Sequence, residues 1–329
     1  MRRRRRIVIA FGGNALIRKG QDGTQWEQLD NAGDTARRLL PLLRHGDAVV
    51  LVHGNGPQVG NILIQIEAAV DKVPPLTLDV GVAATQGSIG YMLEMAIRNA
   101  LRRARVRRQV VTFLSQVLVD QDDPGFQRPT KPIGPFYTKA RAEFLMHKQG
   151  WNMIEDAGRG WRKVVPSPRP LEVVQMPLLR EAIAAGHLVI AGGGGGIPVY
   201  RDAEGDLRGV EAVIDKDYTA SVIARDLEAD LFVLLTGVDE VALDYGQPGA
   251  RPLRRMTAAS ARAHLTAGQF PDGSMGPKVR AGVEFVEATG RQVLITSAPK
   301  LAKAVRGGAG TRIVPDPKTK RPAARKESP

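Results

Sequence analysis

The chain of 329 residues contains no cysteine. That absence excludes disulfides, thiol nucleophiles and every cysteine-bearing metal site, and it agrees with a cytoplasmic protein. A membrane-spanning run is missing too. The longest stretch without Asp, Glu, Lys or Arg, residues 48–66, is interrupted by His53-Gly54-Asn55-Gly56-Pro57-Gln58. Those polar groups would go unsatisfied in lipid, so no membrane association is expected. Arg2 to Arg6 imitate the start of a signal peptide, but the apolar Ile7–Phe11 behind them is too short and breaks at Gly12. The common phosphate-binding signatures are also lacking. No Gly-Lys dipeptide exists to build a Walker A loop, and Gly-Asn-Gly-Pro-Gln-Val-Gly has one residue too many for a dinucleotide fingerprint. The protein-kinase catalytic loop is absent. The five histidines show no metal-ligand spacing, and no internal repeat is present.

Charge is plentiful but concentrated. Of the formal +13, Arg2 to Arg6 supply five, and residues 312–329 carry six positive and two negative side chains. Only +4 is left for the rest of the chain. A third basic run, from Arg102 to Arg108, falls at the expected end of a helix, where cations suit the negative pole of the dipole. These runs read as solvated tails and a helix end. No motif of a nucleic-acid-binding fold accompanies them, so no specific nucleic-acid partner is expected.

Against this background stands a regular alternation. Short apolar runs at 7–11, 48–52, 110–114, 187–191, 231–235 and 293–296 read as strands buried on both faces. Helical patterns lie between them. One covers about 83–103, where Ile89, Met92, Leu93, Ala96, Ile97, Ala100 and Leu101 form one stripe; others follow Asp217 and Pro277. The alternation predicts an α/β fold with a mostly parallel sheet covered by helices on both faces. One segment, about 120–170, is rich in proline and breaks the rhythm. It reads as a long irregular insertion of the kind that serves as a lid or small subdomain.

Three strand ends carry glycine with small polar residues: Gly12-Gly13-Asn14, His53-Gly54-Asn55-Gly56, and Gly192 to Gly196. In open α/β sheets ligands bind beyond the carboxyl ends of strands, and glycine lets backbone N–H groups approach an anion. With no Walker lysine, positive charge for a phosphate must come from separate lysines. Lys131 between two prolines, Lys216 in Ile-Asp-Lys-Asp, and Lys278 in Gly-Ser-Met-Gly-Pro-Lys stand in unusual contexts. Asp217 has the wrong sign to touch phosphate; it is read as orienting the lysines, with a helix N-cap as the competing role.

Eight collinear segments make a resemblance specific. They are residues 12–16, 53–60, 86–91, 129–137, 164–170, 193–199, 210–217 and 273–279. Together these segments, Pro-Thr-Lys-Pro-Ile-Gly-Pro-Phe-Tyr and Val-Glu-Ala-Val-Ile-Asp-Lys-Asp among them, resemble the carbamate kinases. The likeness runs from about residue 7 to 314. It implies an amino-acid kinase fold: a three-layer αβα sandwich with a mostly parallel central sheet and a protruding lid, working as a homodimer. The expected divisions are a basic extension 1–6, one domain 7–314, and a disordered basic tail 315–329. Within the domain, 7–119 would hold the acceptor, 120–170 the lid, and 171–314 the nucleotide.

The resemblance also implies chemistry: reversible phosphoryl transfer between ATP and carbamate, giving ADP and carbamoyl phosphate, with ATP formation in arginine breakdown as its use. Carbamate and the transferred group would lie against Gly12, Gly13, Asn14, Gly54 and Asn55. The nucleotide would meet Lys216, Asp217, Met275 and Lys278, with Mg2+ on its phosphates and none on protein side chains. Lys131, Lys216, Asp217 and Lys278 are the expected catalytic group. The chain departs from many amino-acid kinases at Ala10, where they place a lysine two residues before the glycine pair. That departure assigns the missing cation to Lys131. A kinase of another small acid, of the acetylglutamate type, and a non-catalytic nucleotide sensor or RNA-binding relative are the alternatives.

Overall fold

The computed structural model describes residues 4–12, 15–18, 20–156, 158, 160–271 and 273–317. β1 (Arg6–Phe11) leads into α1 (Gln25–Arg44), β2 (Ala48–His53), α2 (Gly56–Ala69), α3 (Leu78–Arg103) and β3 (Val110–Thr112). β4 (Gln116–Leu118) and the single turn α4 (Pro124–Gln127) precede β5 (Lys131–Tyr137), α5 (Lys139–Gln149), β6 (Met153–Glu155) and β7 (Trp161–Val165). Next come β8 (Glu172–Val173), α6 (Met176–Ala184), β9 (Leu188–Ile190), β10 (Ile197–Arg201) and β11 (Leu207–Gly209). The last third holds α7 (Lys216–Asp226), β12 (Leu231–Thr236), β13 (Val241–Leu243), β14 (Arg251–Leu253), β15 (Arg255–Thr257) and α8 (Ala258–Thr266). It closes with α9 (Met275–Thr289), β16 (Gln292–Ser297), α10 (Leu301–Val305) and β17 (Thr311–Val314).

Eight strands form the central sheet in the order β15-β17-β16-β12-β1-β2-β9-β3. Every neighbouring pair is parallel except β16 and β17. Their near-continuous apolar sequences are explained by burial on both faces. One face packs Ile7, Ile9 and Phe11 against α1, α3 and α10. The other packs Val8 and Ala10 against α6, α7, α8 and α9. The result is a three-layer αβα sandwich. β1 lies between β2 and β12, so the strand order reverses there and opens a crevice at the carboxyl ends.

All six expected strands are present. α3 begins at Leu78, five residues before the apolar stripe suggested, and α9 begins at Met275 rather than after Pro277. Pro277 falls in the first turn of α9, where the missing N–H costs no helical bond.

The proline-rich segment is not irregular. Residues 131–165 form the antiparallel sheet β5-β7-β6 with α5 between β5 and β6. Its flanks belong elsewhere: β4 and β8 join β10 and β11 in a separate four-stranded sheet. The small sheet rests on α2 at a glycine pair. A Cβ on Gly60 would stand 2.8 Å from the Gly134 Cα, and Gly134 itself has φ +76°.

The expected boundary at residue 7 falls too late. Arg6 opens β1 and its backbone N–H donates to Asp230 Oδ2 at 2.8 Å. Arg5 forks onto the buried carboxylate of Asp47, with Nε–Oδ1 at 3.1 Å and NH2–Oδ2 at 2.8 Å. Arg4 donates to the carbonyls of Gly46 and Gly186. Arginines 4 to 6 are therefore part of the folded body, not a solvated extension. Residues 1–3 and 318–329 of the basic ends lie outside the described residues. Among the described residues no helix is long and apolar enough to cross a membrane.

Candidate active site

The carboxyl ends of β1, β2, β12 and β16 deliver Gly12, Gly54, Gly237 and Ala298 to one side of the sheet. A cavity of about 580 Å³ opens there, lined by Gly12, Thr236, Gly237, Ser274, Lys278 and Ser297 among others. Gly12 and Lys278, chosen independently from the sequence, thus share a wall. Lys131, Lys216, Asp217, Gly54, Asn55 and Met275 do not line it. Gly13 and Asn14 lie outside the described residues.

The glycine run after β9 has a steric cause. Gly192, Gly194, Gly195 and Gly196 all have φ between +64° and +100°. Added Cβ atoms at 193 and 194 would stand 2.3 Å from His53 Nε2 and 2.2 Å from Asn55 Nδ2. At 195 and 196 they would meet Ile214 O and Val117 Cγ2 at 2.0 Å. These glycines let the loops after β2 and β9 close onto the N-terminus of α7. Gln86 from α3 fastens the run by donating to Gly193 O at 2.9 Å. Thr219 from α7 donates to Gly195 O at 2.6 Å.

Asn55 is buried, and its Nδ2 donates to Thr85 Oγ1 at 2.8 Å. The Gly54 backbone N–H donates to Phe11 O at 2.7 Å, which joins the first two strand ends. His53 is fully buried against this floor, and burial lowers its pKa to about 4 against an opposing contact from Gly54 O. It is neutral at physiological pH.

The three lysines come together through two aspartates. Lys278 Nζ in α9 lies 2.9 Å from Asp217 Oδ2, and Lys216 Nζ lies 3.0 Å from Asp217 Oδ1. One buried carboxylate therefore fixes both ammonium groups. Lys131, the first residue of β5, reaches across to Asp215 Oδ2 at 2.5 Å. Lys131 and Asp215 are 84 residues apart in sequence. Asp215 also caps α7, its Oδ1 accepting from the Asp217 N–H at 2.9 Å. The capping role considered for Asp217 belongs to Asp215.

Electrostatics follow from this sharing. Burial would raise both carboxyls, but the lysines outweigh it and hold Asp215 and Asp217 below the usual carboxylate range. Burial pushes Lys216 down, yet Asp217 and Asp215 together raise it. Lys278 goes the other way, because burial and the repulsion of Lys216 exceed the pull of Asp217. Three cations share two carboxylates here, and Lys278 is the one left short of negative charge.

The three lysines singled out from the sequence fall in this one cluster, and Asp215, which joins them, was not among the residues singled out. The signal was present: an aspartate immediately before the Lys-Asp pair, at the start of an expected helix, is an N-cap pattern. Met275, the first residue of α9, is half-buried and packs against the core on that face of the sheet.

Comparison with known proteins agrees with this geometry. Residues 5–297 match the amino acid kinase family. A carbamate kinase of Thermococcus kodakarensis is 45% identical over 94% of this chain and 99% of its own length. Carbamate kinase 2 of Enterococcus faecalis is 44% identical over 89% of this chain and 94% of its own. Among solved structures, carbamate kinase from Giardia lamblia bound to AMP-PNP superposes with a TM-score of 0.89 at 42% identity. That match covers 96% of this chain and 100% of the other.

Proposed function

The chain belongs to the carbamate kinases of the amino acid kinase family, and from that premise we propose how its residues carry phosphoryl transfer between ATP and carbamate. The observation that carries the reading is the sharing of two aspartates by three lysines beside a glycine-lined crevice. That cluster has one cation in excess, which a phosphate satisfies. The carbamate acceptor is already an anion, so no general base is required. A carbamate oxygen attacks the γ-phosphorus while the bond to the ADP oxygen breaks; ATP formation is the reverse. The protein's work is to align two anions and to neutralise the equatorial oxygens in transit.

The roles divide by position. Gly12, with Gly13 and Asn14, and the Gly54-Asn55 turn receive the carbamate and the transferred group. Lys216 and Lys278, held by Asp217, receive the nucleotide phosphates, with Met275 beside them in the first turn of α9. Lys131 approaches from the small sheet, which acts as a lid, and supplies the charge that Ala10 does not. Ala10 itself is fully buried in the core, so a lysine there has no room. Asp215 marks the closed position of the lid by pairing Lys131 with the first turn of α7.

Mg2+ would accompany the nucleotide and offset phosphate charge. Asp215 and Asp217 are already committed to lysines. These residues fit a metal carried on the phosphates rather than one held by the protein. A cytoplasmic homodimer forming ATP in arginine breakdown completes the proposal.

The test is formation of ATP from ADP and carbamoyl phosphate, read by a coupled assay. Robust turnover is expected with carbamoyl phosphate, and none with acetylglutamyl phosphate. The opposite preference would assign the crevice to an acetylglutamate-type acceptor.

A further inference from the structure

At the opposite end of the sheet two of the basic runs meet. Arg4 precedes β1, and Arg102, Arg107 and Arg108 follow or end α3; Arg44 ends α1 and Arg98 lies one turn before Arg102. All six line one cleft of about 930 Å³, together with Gln109, Gly186 and His187. No carboxylate and no Phe, Tyr or Trp is among the lining residues. Two acids lie at the cleft's edge and both are paired: Asp47 with Arg5, and Glu94 with Arg98.

The cations inside are crowded. Arg108 is half-buried and spends its donors on main-chain oxygens: Nε to Gly186 O at 2.9 Å and NH1 to Asp47 O at 2.7 Å. Arg4 NH2 shares the same Gly186 carbonyl at 3.1 Å, so two guanidinium groups stand side by side with only neutral acceptors. Burial, and then the charge of Arg4, lower the Arg108 pKa to about 10. Arg98 alone has an acidic partner, Glu94. Arg44, Arg102 and Arg107 bond to no carboxylate among the described residues. Arg108 is half-buried beside Arg4 with no carboxylate bonded to either, so an anion bound in the cleft would offset their repulsion.

We propose that this cleft binds a small anion bearing two or more phosphate groups, at a site separate from the phosphoryl-transfer crevice. Its concavity and volume favour a compact oligophosphate over a nucleic-acid backbone. A single strand of nucleic acid is held along an extended basic track with large aromatic faces for stacking, whereas this cleft is confined and lined by no Phe, Tyr or Trp. The bound anion would bridge Arg44 on α1, Arg102 and Arg107 at the end of α3, and Arg108 beside β9. It would thereby pin the amino ends of the strands whose carboxyl ends carry the glycine loops.

Inorganic tripolyphosphate is the probe, titrated calorimetrically into the full chain. Three proteins are compared: the wild type, the triple variant Arg44→Ser/Arg102→Ser/Arg107→Ser, and Lys278→Ala. All three arginines are exposed, so the triple variant should keep its thermal transition and its turnover within about twofold. Binding should weaken at least about tenfold in the triple variant, the loss of one charge-assisted contact or more, and persist in Lys278→Ala. Arg44→Glu provides a second, single-site variant with the same expected direction. No binding to wild type overturns the proposal, as does binding lost in Lys278→Ala but unchanged in the triple variant. Capture of a single-stranded oligonucleotide without any response to tripolyphosphate also overturns it, in favour of a nucleic-acid surface.

Discussion

The two ends of the central sheet are both rich in cations, yet they handle charge in opposite ways. At the carboxyl end Lys131, Lys216 and Lys278 are matched to Asp215 and Asp217 within 3.0 Å. At the amino end six arginines gather, and Arg4 and Arg108 donate to carbonyls. The residue types follow the work. Lysine is a compact point charge whose pKa shifts readily on burial, so a shared aspartate can tune it, and it can follow a moving phosphoryl group. Arginine stays charged and offers a planar fork suited to a resting anion. The difference teaches that net charge alone locates nothing; the placement of the carboxylates is what distinguishes the proposed transfer site from the proposed holding site.

The comparison can be broken first at the paired lysines. Lys216→Ala or Lys278→Ala should lower turnover by at least about a hundredfold, the scale of one transition-state donor. Circular dichroism should be unchanged, since neither ammonium sits in the apolar core. Near-normal rates in both would remove the nucleotide from this cluster.

A second test separates the lid from the nucleotide wall. Lys131→Ala should cut turnover by about tenfold or more, whereas ADP affinity moves only a few-fold. Asp215→Asn should show the same split, because it releases Lys131 while the amide oxygen can still cap α7. Loss of ADP binding in Lys131→Ala would place that lysine in the nucleotide pocket instead.

A smaller effect is expected from the floor of the crevice. His53 has a folded-state pKa of about 4, below its ordinary value of 6.5. On acidification the unfolded chain takes up the proton first, so the native state loses ground. Stability should be full above pH 6.5 and decline as the pH falls towards 4, by up to about 3 kcal/mol from this group. Urea melts across that range should lose this slope in His53→Gln. An equal slope in the variant would assign it to other groups.

Much of this could be read before any coordinates. The strands were legible because burial on both faces writes an apolar run, as in Ile7–Phe11 and Leu231–Leu235. The lysines were legible because each sits in a context that a solvated lysine does not need. What stayed hidden depends on distant partners. The role of Asp215 is set by Lys131 across 84 residues, and Arg5 meets Asp47 across 42. No local pattern reports such pairs, so the first arginines read as a tail. β4 and β8, at three and two residues, are too short to show a period. The glycine run at 192–196 read as an anion cradle, but its immediate cause is the close approach of His53, Asn55, Ile214 and Val117.

The most direct test of the central claim is the turnover of Asp217→Asn, measured in the ATP-forming direction beside its thermal transition. The amide keeps the shape of the side chain but leaves Lys216 and Lys278 without their shared charge. A folded protein with turnover reduced at least about a hundredfold is the predicted result. A folded protein that turns over at the wild-type rate would contradict the claim that this carboxylate organises the transfer site.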